Sequence, residues 1–237
     1  MERGEVEMTA EHWERLDERV VFEHPILRVR CDRYRLRRGT ETDESSKFAD
    51  RSDGKNILEG DFLSLEMRSW VNIVAVAPEE RFLMVRQYRH GTRSVQLETP
   101  GGVIEPGEDP QIAALRELRE ETGFTTDVPL RRLAVVDPNP AIQNNHGFFF
   151  LAERCRTLTE SETQSLAIHQ DLFEDIEVHL LSRDQLHEAI RLGTLRHSLI
   201  LLALAYYDEW RRVQRGDGTP GLLSPVDHIG YTGPRGD

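Results

Sequence analysis

Residues 102–124 read GVIEPGEDPQIAALRELREETGF, and this stretch decides more about the fold than any other. In its second half the apolar residues recur at helical spacing and the pattern ends at a glycine. This predicts a helix over Asp109–Thr122. On that helix Glu117, Glu120 and Glu121 stand at spacings of i, i+3 and i+4, so their carboxylates share one face.

Three carboxylates on one helix face repel one another, and this repulsion costs helix stability unless a cation lies between them. Hard divalent cations prefer oxygen ligands, so the triplet predicts a metal site. A solvated acidic face is the alternative for such a triplet taken alone. The whole spaced pattern would arise by chance in about one in ten million chains of average composition, which excludes coincidence. The pattern comprises Gly102, Glu108, Arg116, Glu117, Leu118, Glu120, Glu121, Gly123 and Phe124.

This segment resembles the Nudix box and matches every position of that family's pattern. The resemblance implies a sheet between helices, with the box forming a loop–helix–loop that holds Mg²⁺ or Mn²⁺. It also implies attack by water on a nucleoside diphosphate linked to another moiety. A looser similarity to ADP-ribose and nucleotide-sugar pyrophosphatases extends from about Phe62 to Trp210.

The predicted metal ligands are Glu117, Glu120, Glu121 and, as the resemblance implies, the backbone carbonyl of Gly101 just before the box glycine. Glu120 either binds the metal directly or hydrogen-bonds to a group that binds it. We count it among the predicted catalytic residues.

Two further groups complete the predicted catalytic set. Arg116 can pair with a neighbouring carboxylate and hold it in place. The resemblance implies a general base in an acidic loop, where Glu174 is the first choice and Asp171 the second. An ordinary solvated loop is the alternative for that acidic run.

Substrate contacts are predicted outside the box. Arg86 and Arg89 end a predicted strand, and arginine pairs bidentately with phosphate. Alternation places them on opposite faces of that strand, and the resemblance favours Arg89. Glu98 either binds the metal together with the box carboxylates or forms a structural salt bridge. The segment 137–145 is rich in proline and amide side chains, and Asn144 is its predicted substrate contact, with a plain turn as the alternative.

Strands and helices interleave without regular βαβ alternation, which favours an α/β (α+β) fold. We expect a Nudix-type α/β/α sandwich with a mixed sheet, preceded by an N-terminal antiparallel β region. The expected domains are residues 1–60, with a flexible loop over 39–55, then a Nudix domain over 61–215 and an irregular tail over 216–237. Residues 1–22 carry no special signal. Predicted strands are Pro25–Arg37, Phe62–Arg68, Trp70–Ala77, Phe82–Tyr88, Leu130–Val136, Gly147–Ala152 and Glu174–Leu181, with further helices at about Arg183–Arg191 and Leu195–Arg212.

The amino-acid composition of the chain limits which kinds of partner it is expected to bind. The 237 residues carry a net charge of −12 and a sequence pI near 5.3, and such an acidic surface argues against nucleic-acid binding. Cys31 and Cys155 form neither a metal-ligand spacing nor a disulfide framework, which favours a cytoplasmic location. Met1–Leu16 has no signal-peptide core, and the longest apolar run, Leu199–Tyr207, is too short to cross a bilayer, so we expect no membrane partner.

Two functions remain open. The first is metal-dependent hydrolysis of ADP-ribose or a nucleotide sugar to a nucleoside monophosphate and a sugar phosphate. The second is a non-catalytic nucleotide sensor or regulatory binding module. A sensor would be expected to lose box carboxylates, and all are present, so the enzyme is favoured. A homodimer is also expected, because the chain has more apolar material than one sandwich needs and the resembling enzymes pair through N-terminal sheets.

Overall fold

The computed structural model describes residues 12–37, 57–166 and 175–216, which fall into two compact units. One unit contains the chain up to Met67 together with Asn139–Asn144, and the other contains Arg68–Pro138 and the chain from Asn145 onward. The predicted loop over 39–55, nearly all of the predicted tail and both candidate general bases, Glu174 and Asp171, lie outside the described residues.

The first unit is an antiparallel sheet built around one long strand. That strand, β3, pairs along one edge with β4 and along the other edge with β1 and β2 in succession. Neither WERLD of β1 nor VVFEH of β2 alternates between apolar and polar residues, so the period-two pattern that would have predicted these strands is absent. The four strands are β1 (Trp13–Asp17), β2 (Val20–His24), β3 (Leu27–Arg37) and β4 (Ile57–Met67).

The second unit contains a mixed sheet in the order β12-β6-β5-β10-β9, with β7 also paired to β6. β5 and β10 run parallel and the other pairs antiparallel, which confirms the predicted mixed sheet. The elements are β5 (Trp70–Ala77), β6 (Arg81–Arg89), β7 (Ser94–Glu98), α1 (Pro110–Thr122), β8 (Phe124–Thr125), β9 (Arg131–Val136), β10 (Gly147–Ala152), β11 (Arg156–Thr157), α2 (Glu160–Ser165), β12 (Ile176–Leu181), α3 (Arg183–Arg191) and α4 (Ser198–Gln214).

Helices cover both faces of this sheet, as the sandwich prediction requires. On one face, Ala113, Ala114 and Leu118 of α1 form a buried cluster with alternate residues of β5, β6 and β10. On the other face, α3 and α4 pack on the intervening residues of the same strands. β10 is buried on both faces, which explains its unbroken apolar sequence. Among the described residues, no helix is long and apolar enough to span a membrane.

Local signals fix both ends of α1. The Asp109 side chain accepts a hydrogen bond from the Gln111 backbone N–H at 2.8 Å, and Pro110 occupies the first helical turn. At the other end Gly123 adopts a left-handed conformation with φ of 68°, which a residue without a side chain reaches at no steric cost. The helix therefore begins and ends within a residue of the predicted bounds, and its register on the sheet fixes where the carboxylates lie.

Candidate active site

A fork in the sheet brings the start of the box next to β5. β6 pairs with β5 only at residues 81–83, and beyond that point it pairs with β7 instead. After β7 the chain runs along the beginning of β5, where the Val71 N–H donates to the Gly102 carbonyl at 2.8 Å. The Ile73 N–H donates to the Pro100 carbonyl at 2.8 Å. Residues 100–104 therefore form a short extra strand, the wedge, along the part of β5 that β6 does not pair with.

Both glycines in this wedge approach their neighbours so closely that a Cβ would displace something, backbone at Gly101 and a side chain at Gly102. A Cβ on Gly101 would lie 2.2 Å from the Val71 carbonyl oxygen. A Cβ on Gly102 would lie 2.4 Å from the carboxyl carbon of Glu117. Glycine is required here because the backbone of the wedge touches β5 on one side and the Glu117 carboxylate on the other.

Arg116 lies at the centre of the acidic face of α1. Its Nη1 donates to Glu117 at 2.7 Å and to Glu120 at 3.1 Å. Its Nε and Nη2 each donate to the Glu108 carboxylate at 2.9 Å, and Nη2 also donates to the Val103 carbonyl. One guanidinium thus neutralises part of the repulsion among three carboxylates and ties the helix to the loop before it.

The paired charges shift the pKa of two groups in opposite directions. The hydrogen bond from Arg116 lowers the pKa of Glu108, while burial of the carboxyl opposes that shift. The same contact, followed by the contacts with Glu117 and Glu120, raises the pKa of the Arg116 guanidinium. Glu108 belongs to the sequence pattern, but its function as the bidentate partner of Arg116 emerges only from the folded geometry.

Glu121 is held by the wedge. Its Oε2 accepts a hydrogen bond from the Gly101 N–H at 2.8 Å. Successive peptide groups of an extended segment point to opposite sides, and the carbonyls of Pro100 and Gly102 point to β5. The Gly101 carbonyl therefore points away from β5, to the side on which its own N–H meets Glu121. The predicted ligands Gly101 and Glu121 lie together.

Carboxylates and a backbone carbonyl are the donor types that Mg²⁺ and Mn²⁺ prefer. No three acidic, His or Cys side chains of residues 12–37, 57–166 and 175–216 are grouped closely enough to enclose an ion. Glu117 and Glu120 instead share the Nη1 atom of Arg116. The three box carboxylates and the Gly101 carbonyl are therefore ligand types that suit a hard divalent ion, and the three carboxylates lie on one side of α1.

The two arginines of β6 lie on opposite faces of the sheet, as alternation predicts. Arg89 lies on the face covered by α1, where its Nε and Nη2 donate to the two oxygens of Glu98 at 3.1 and 2.7 Å. Arg86 lies on the other face and donates to Glu177 of β12 at 3.3 Å. The structure therefore brings Arg89 to the carboxylate face of the sheet and does not bring Arg86 there.

The remaining predicted contact, Asn144, and the two residues after it bind nearby backbone and side-chain groups. Asn144 belongs to the first unit, where its Oδ1 accepts the Met67 N–H at 3.2 Å. Asn145, which the sequence did not single out as a site residue, is the buried amide of this segment and donates to the Arg68 carbonyl at 3.0 Å. His146 contacts Asp137, with 2.7 Å between Nδ1 and Oδ1.

A buried polar pair beside Arg89 was also missed. Gln87 and Gln96 lie opposite each other on β6 and β7, and both are buried on the face that carries Glu98. Period-two alternation from Arg89 and Glu98 would have placed them there. The sequence pattern predicts no strand at Ser94–Glu98, because two of its buried positions carry polar residues.

The chain matches the family model of the NUDIX domain over residues 67–200, more than half of its length. It is 37% identical over 90 residues to an ADP-ribose pyrophosphatase of Bacillus subtilis, an alignment that covers 38% of this chain and 48% of the relative. It is 29% identical over 146 residues to an ADP-ribose pyrophosphatase of Haemophilus influenzae, covering 56% of this chain and 64% of the relative.

The chain thus spans about half the length of the first relative and less than two thirds of the second. The crystal structure of an ADP compounds hydrolase superposes with a TM-score of 0.67 and 19% identity, covering 85% of this chain and 95% of that one. This likeness shows that the fold is shared. Together with the family match and the complete box, it establishes that the chain belongs to the Nudix family.

Proposed function

We propose that this chain hydrolyses the pyrophosphate bond of ADP-ribose or a related nucleotide sugar, giving a nucleoside monophosphate and a sugar phosphate. The observation that carries the proposal is the arrangement of Glu117, Glu120 and Glu121 on one face of α1, against a wedge of two glycines. The printed activity of the relatives, ADP-ribose pyrophosphatase, supports the substrate class.

Mg²⁺ is the proposed cofactor, and Mn²⁺ would suit the same ligands. Glu117, Glu120, Glu121 and the Gly101 carbonyl would hold the metal. When bound, it would neutralise phosphate oxygens and lower the pKa of a coordinated water. A pyrophosphate diester is anionic and repels nucleophiles, so this neutralisation and the positioning of the substrate supply most of the catalysis.

The protein's own groups have separate tasks in this proposal. Arg116 keeps Glu117 and Glu120 oriented through the shared Nη1 contact. Glu120 or Glu174 accepts the proton of the attacking water, and Arg89 contacts a phosphate from the α1 face of the sheet. Arg86, on the opposite face of the sheet, and Asn144, in the first unit, remain proposed substrate contacts.

The second candidate function, a nucleotide sensor without turnover, is opposed by the complete set of box carboxylates. The two functions differ in one measurement, the release of nucleoside monophosphate from ADP-ribose in the presence of Mg²⁺. Release that stops on addition of EDTA supports hydrolysis. Saturable binding without release identifies the sensor.

Glu121→Gln tests the metal assignment directly. The amide keeps an oxygen that can accept the Gly101 N–H but carries no charge, so the fold is retained. We expect kcat to fall by at least about 100-fold, in line with losing charge stabilisation at the reacting phosphate. Glu105→Gln is the matched control, because Glu105 lies in the same segment but pairs with the exposed Arg68. Activity of Glu121→Gln within a few-fold of wild type at saturating Mg²⁺ refutes the assignment.

We further propose a cytoplasmic homodimer that binds no membrane and no nucleic acid. Large apolar side chains of the first unit are about half exposed, including Trp13 at 48%, Phe22 at 53% and Leu63 at 59%. Exposed apolar surface of this kind favours a partner, and an obligate two-fold interface would bury at least about 2,000 Å². Light scattering at micromolar concentration tests this: full activity at a mass near the 27.3 kDa of one chain excludes the dimer.

A further inference from the structure

The pairing of Arg89 with Glu98 is asymmetric in burial. Both oxygens of Glu98 accept hydrogen bonds from Arg89, and they bind the Nε–Nη2 edge of the guanidinium. The Glu98 side chain is 5% exposed, whereas the Arg89 side chain is 44% exposed. A buried anion therefore fixes a cation that reaches toward solvent.

The geometry fixes the plane of the Arg89 guanidinium. A bidentate pair constrains both the position and the orientation of the planar group, which a single contact does not. An arginine side chain otherwise loses rotational freedom whenever it binds a ligand. Because Glu98 imposes that order beforehand, a phosphate that reaches Arg89 meets a group that is already oriented.

The surroundings of the pair point to a ligand on the same face. Arg89, Gln87 and Glu98 all lie on the face of the sheet that α1 covers, the side on which the box carboxylates stand. Gln87 is 6% exposed, and within the described part of the chain its Oε1 has no hydrogen-bond partner. A buried polar atom without a partner is rare, so this face offers an acceptor to a bound polar group.

We propose that Glu98 is a positioning residue, which acts by holding the Arg89 guanidinium in place for a phosphate of the substrate. This inference rests on the proposed function and assigns to Glu98 one of the two roles that the sequence left open. A direct metal ligand needs a carboxylate oxygen turned toward the ion. Both Glu98 oxygens are turned to Arg89 instead.

A double-mutant cycle tests the proposal, using Glu98→Gln, Arg89→Ala and the double variant, with ADP-ribose and Mg²⁺. Glu98→Gln should raise KM about three- to tenfold with kcat nearly unchanged. Arg89 then binds the phosphate from a less ordered position, and this weakens its contact equally in the bound substrate and in the transition state. Arg89→Ala should raise KM at least as much. The double variant should match Arg89→Ala alone, because Glu98 has nothing to position once the guanidinium is gone.

Two controls separate positioning from other roles. Asp127→Asn breaks a pair with the same Nε and Nη2 geometry, to Arg156 at 2.8 Å for both bonds, and should leave KM unchanged. Thermal unfolding of every variant reports whether a loss of folding underlies the result. If Glu98→Gln is poorly folded, Glu98→Asp replaces it in the cycle, since aspartate keeps the charge but its shorter side chain withdraws the carboxylate from the bidentate contact with Arg89.

Three outcomes overturn the proposal. Additive effects in the double variant mean that Glu98 acts independently of Arg89. A rise in the Mg²⁺ concentration needed for half-maximal activity means that Glu98 binds metal. A fall in KM for Glu98→Gln means that the carboxylate opposes the anionic substrate. Wild-type protein that releases no monophosphate refutes the proposed function itself, a result distinct from all three.

Discussion

Arg116 is the cation that holds three carboxylates of the site together, and we expect Arg116→Met to destabilise the protein. Methionine keeps much of the aliphatic stem and removes every hydrogen bond to Glu108, Glu117 and Glu120. The three acidic side chains are 14%, 13% and 18% exposed, so solvent replaces the lost cation poorly. Breaking a buried pair costs about 3–5 kcal/mol. Arg116 itself is 29% exposed, which lowers our expectation to about 2–4 kcal/mol.

A chain of this length loses about 2–4 °C in Tm for each kcal/mol, so a loss of about 2–4 kcal/mol corresponds to a decrease of about 4–16 °C. Calorimetry at pH 7 in EDTA measures it. Arg119→Met is the matched control, because Arg119 stands on the same helix and its side chain donates to the neutral Thr125 hydroxyl at 3.0 Å. A Tm for Arg116→Met within about 2 °C of that control would refute the assigned role.

Two changes of condition should reduce the difference in Tm between Arg116→Met and the wild-type protein. Mg²⁺ should restore part of the Tm, because a divalent ion replaces the missing positive charge among the carboxylates. Lower pH should also reduce this difference in Tm. Arg116 lowers the pKa of Glu108, so this contact stabilises the fold above the unfolded carboxyl pKa and is lost as pH falls through the folded value. A difference that grows below pH 4 contradicts this linkage.

Two further predictions follow from close packing. Gly102→Ala places a Cβ 2.4 Å from the Glu117 carboxyl carbon, so we expect Glu117 to be displaced and kcat to fall at least about tenfold. Far-ultraviolet circular dichroism should remain unchanged, and wild-type kcat would show that this approach is not needed. Burial raises the pKa of the Cys155 thiol to about 12, so iodoacetamide at pH 8 should modify Cys31 and spare Cys155 until urea is added. Equal labelling in the native protein, measured by mass spectrometry, would contradict this burial.

The sequence predicted the elements with a strong apolar pattern, either an apolar stripe on a helix or a nearly unbroken apolar strand. α1 has strong capping signals and an apolar stripe, and its predicted bounds are confirmed to within a residue. β5 and β10 are apolar along their length and were predicted correctly. β1 and β2 were missed because their sequences do not alternate between apolar and polar residues, and β7 was missed because polar Gln96 and Glu98 occupy two of its buried positions.

For the site, the sequence determined which carboxylates share a helix face, because the spacing of residues on one helix is a local property. It also determined that Arg86 and Arg89 lie on opposite faces, because alternation is local to a strand. Only the tertiary structure decided which partner each charge meets. Arg116 meets Glu108 across a loop, Glu121 meets the Gly101 N–H, and Glu98 meets Arg89 across a strand pair. The contact of Glu121 with Gly101 depends on the fork between β5 and β6, a long-range pairing that short-range patterns do not encode.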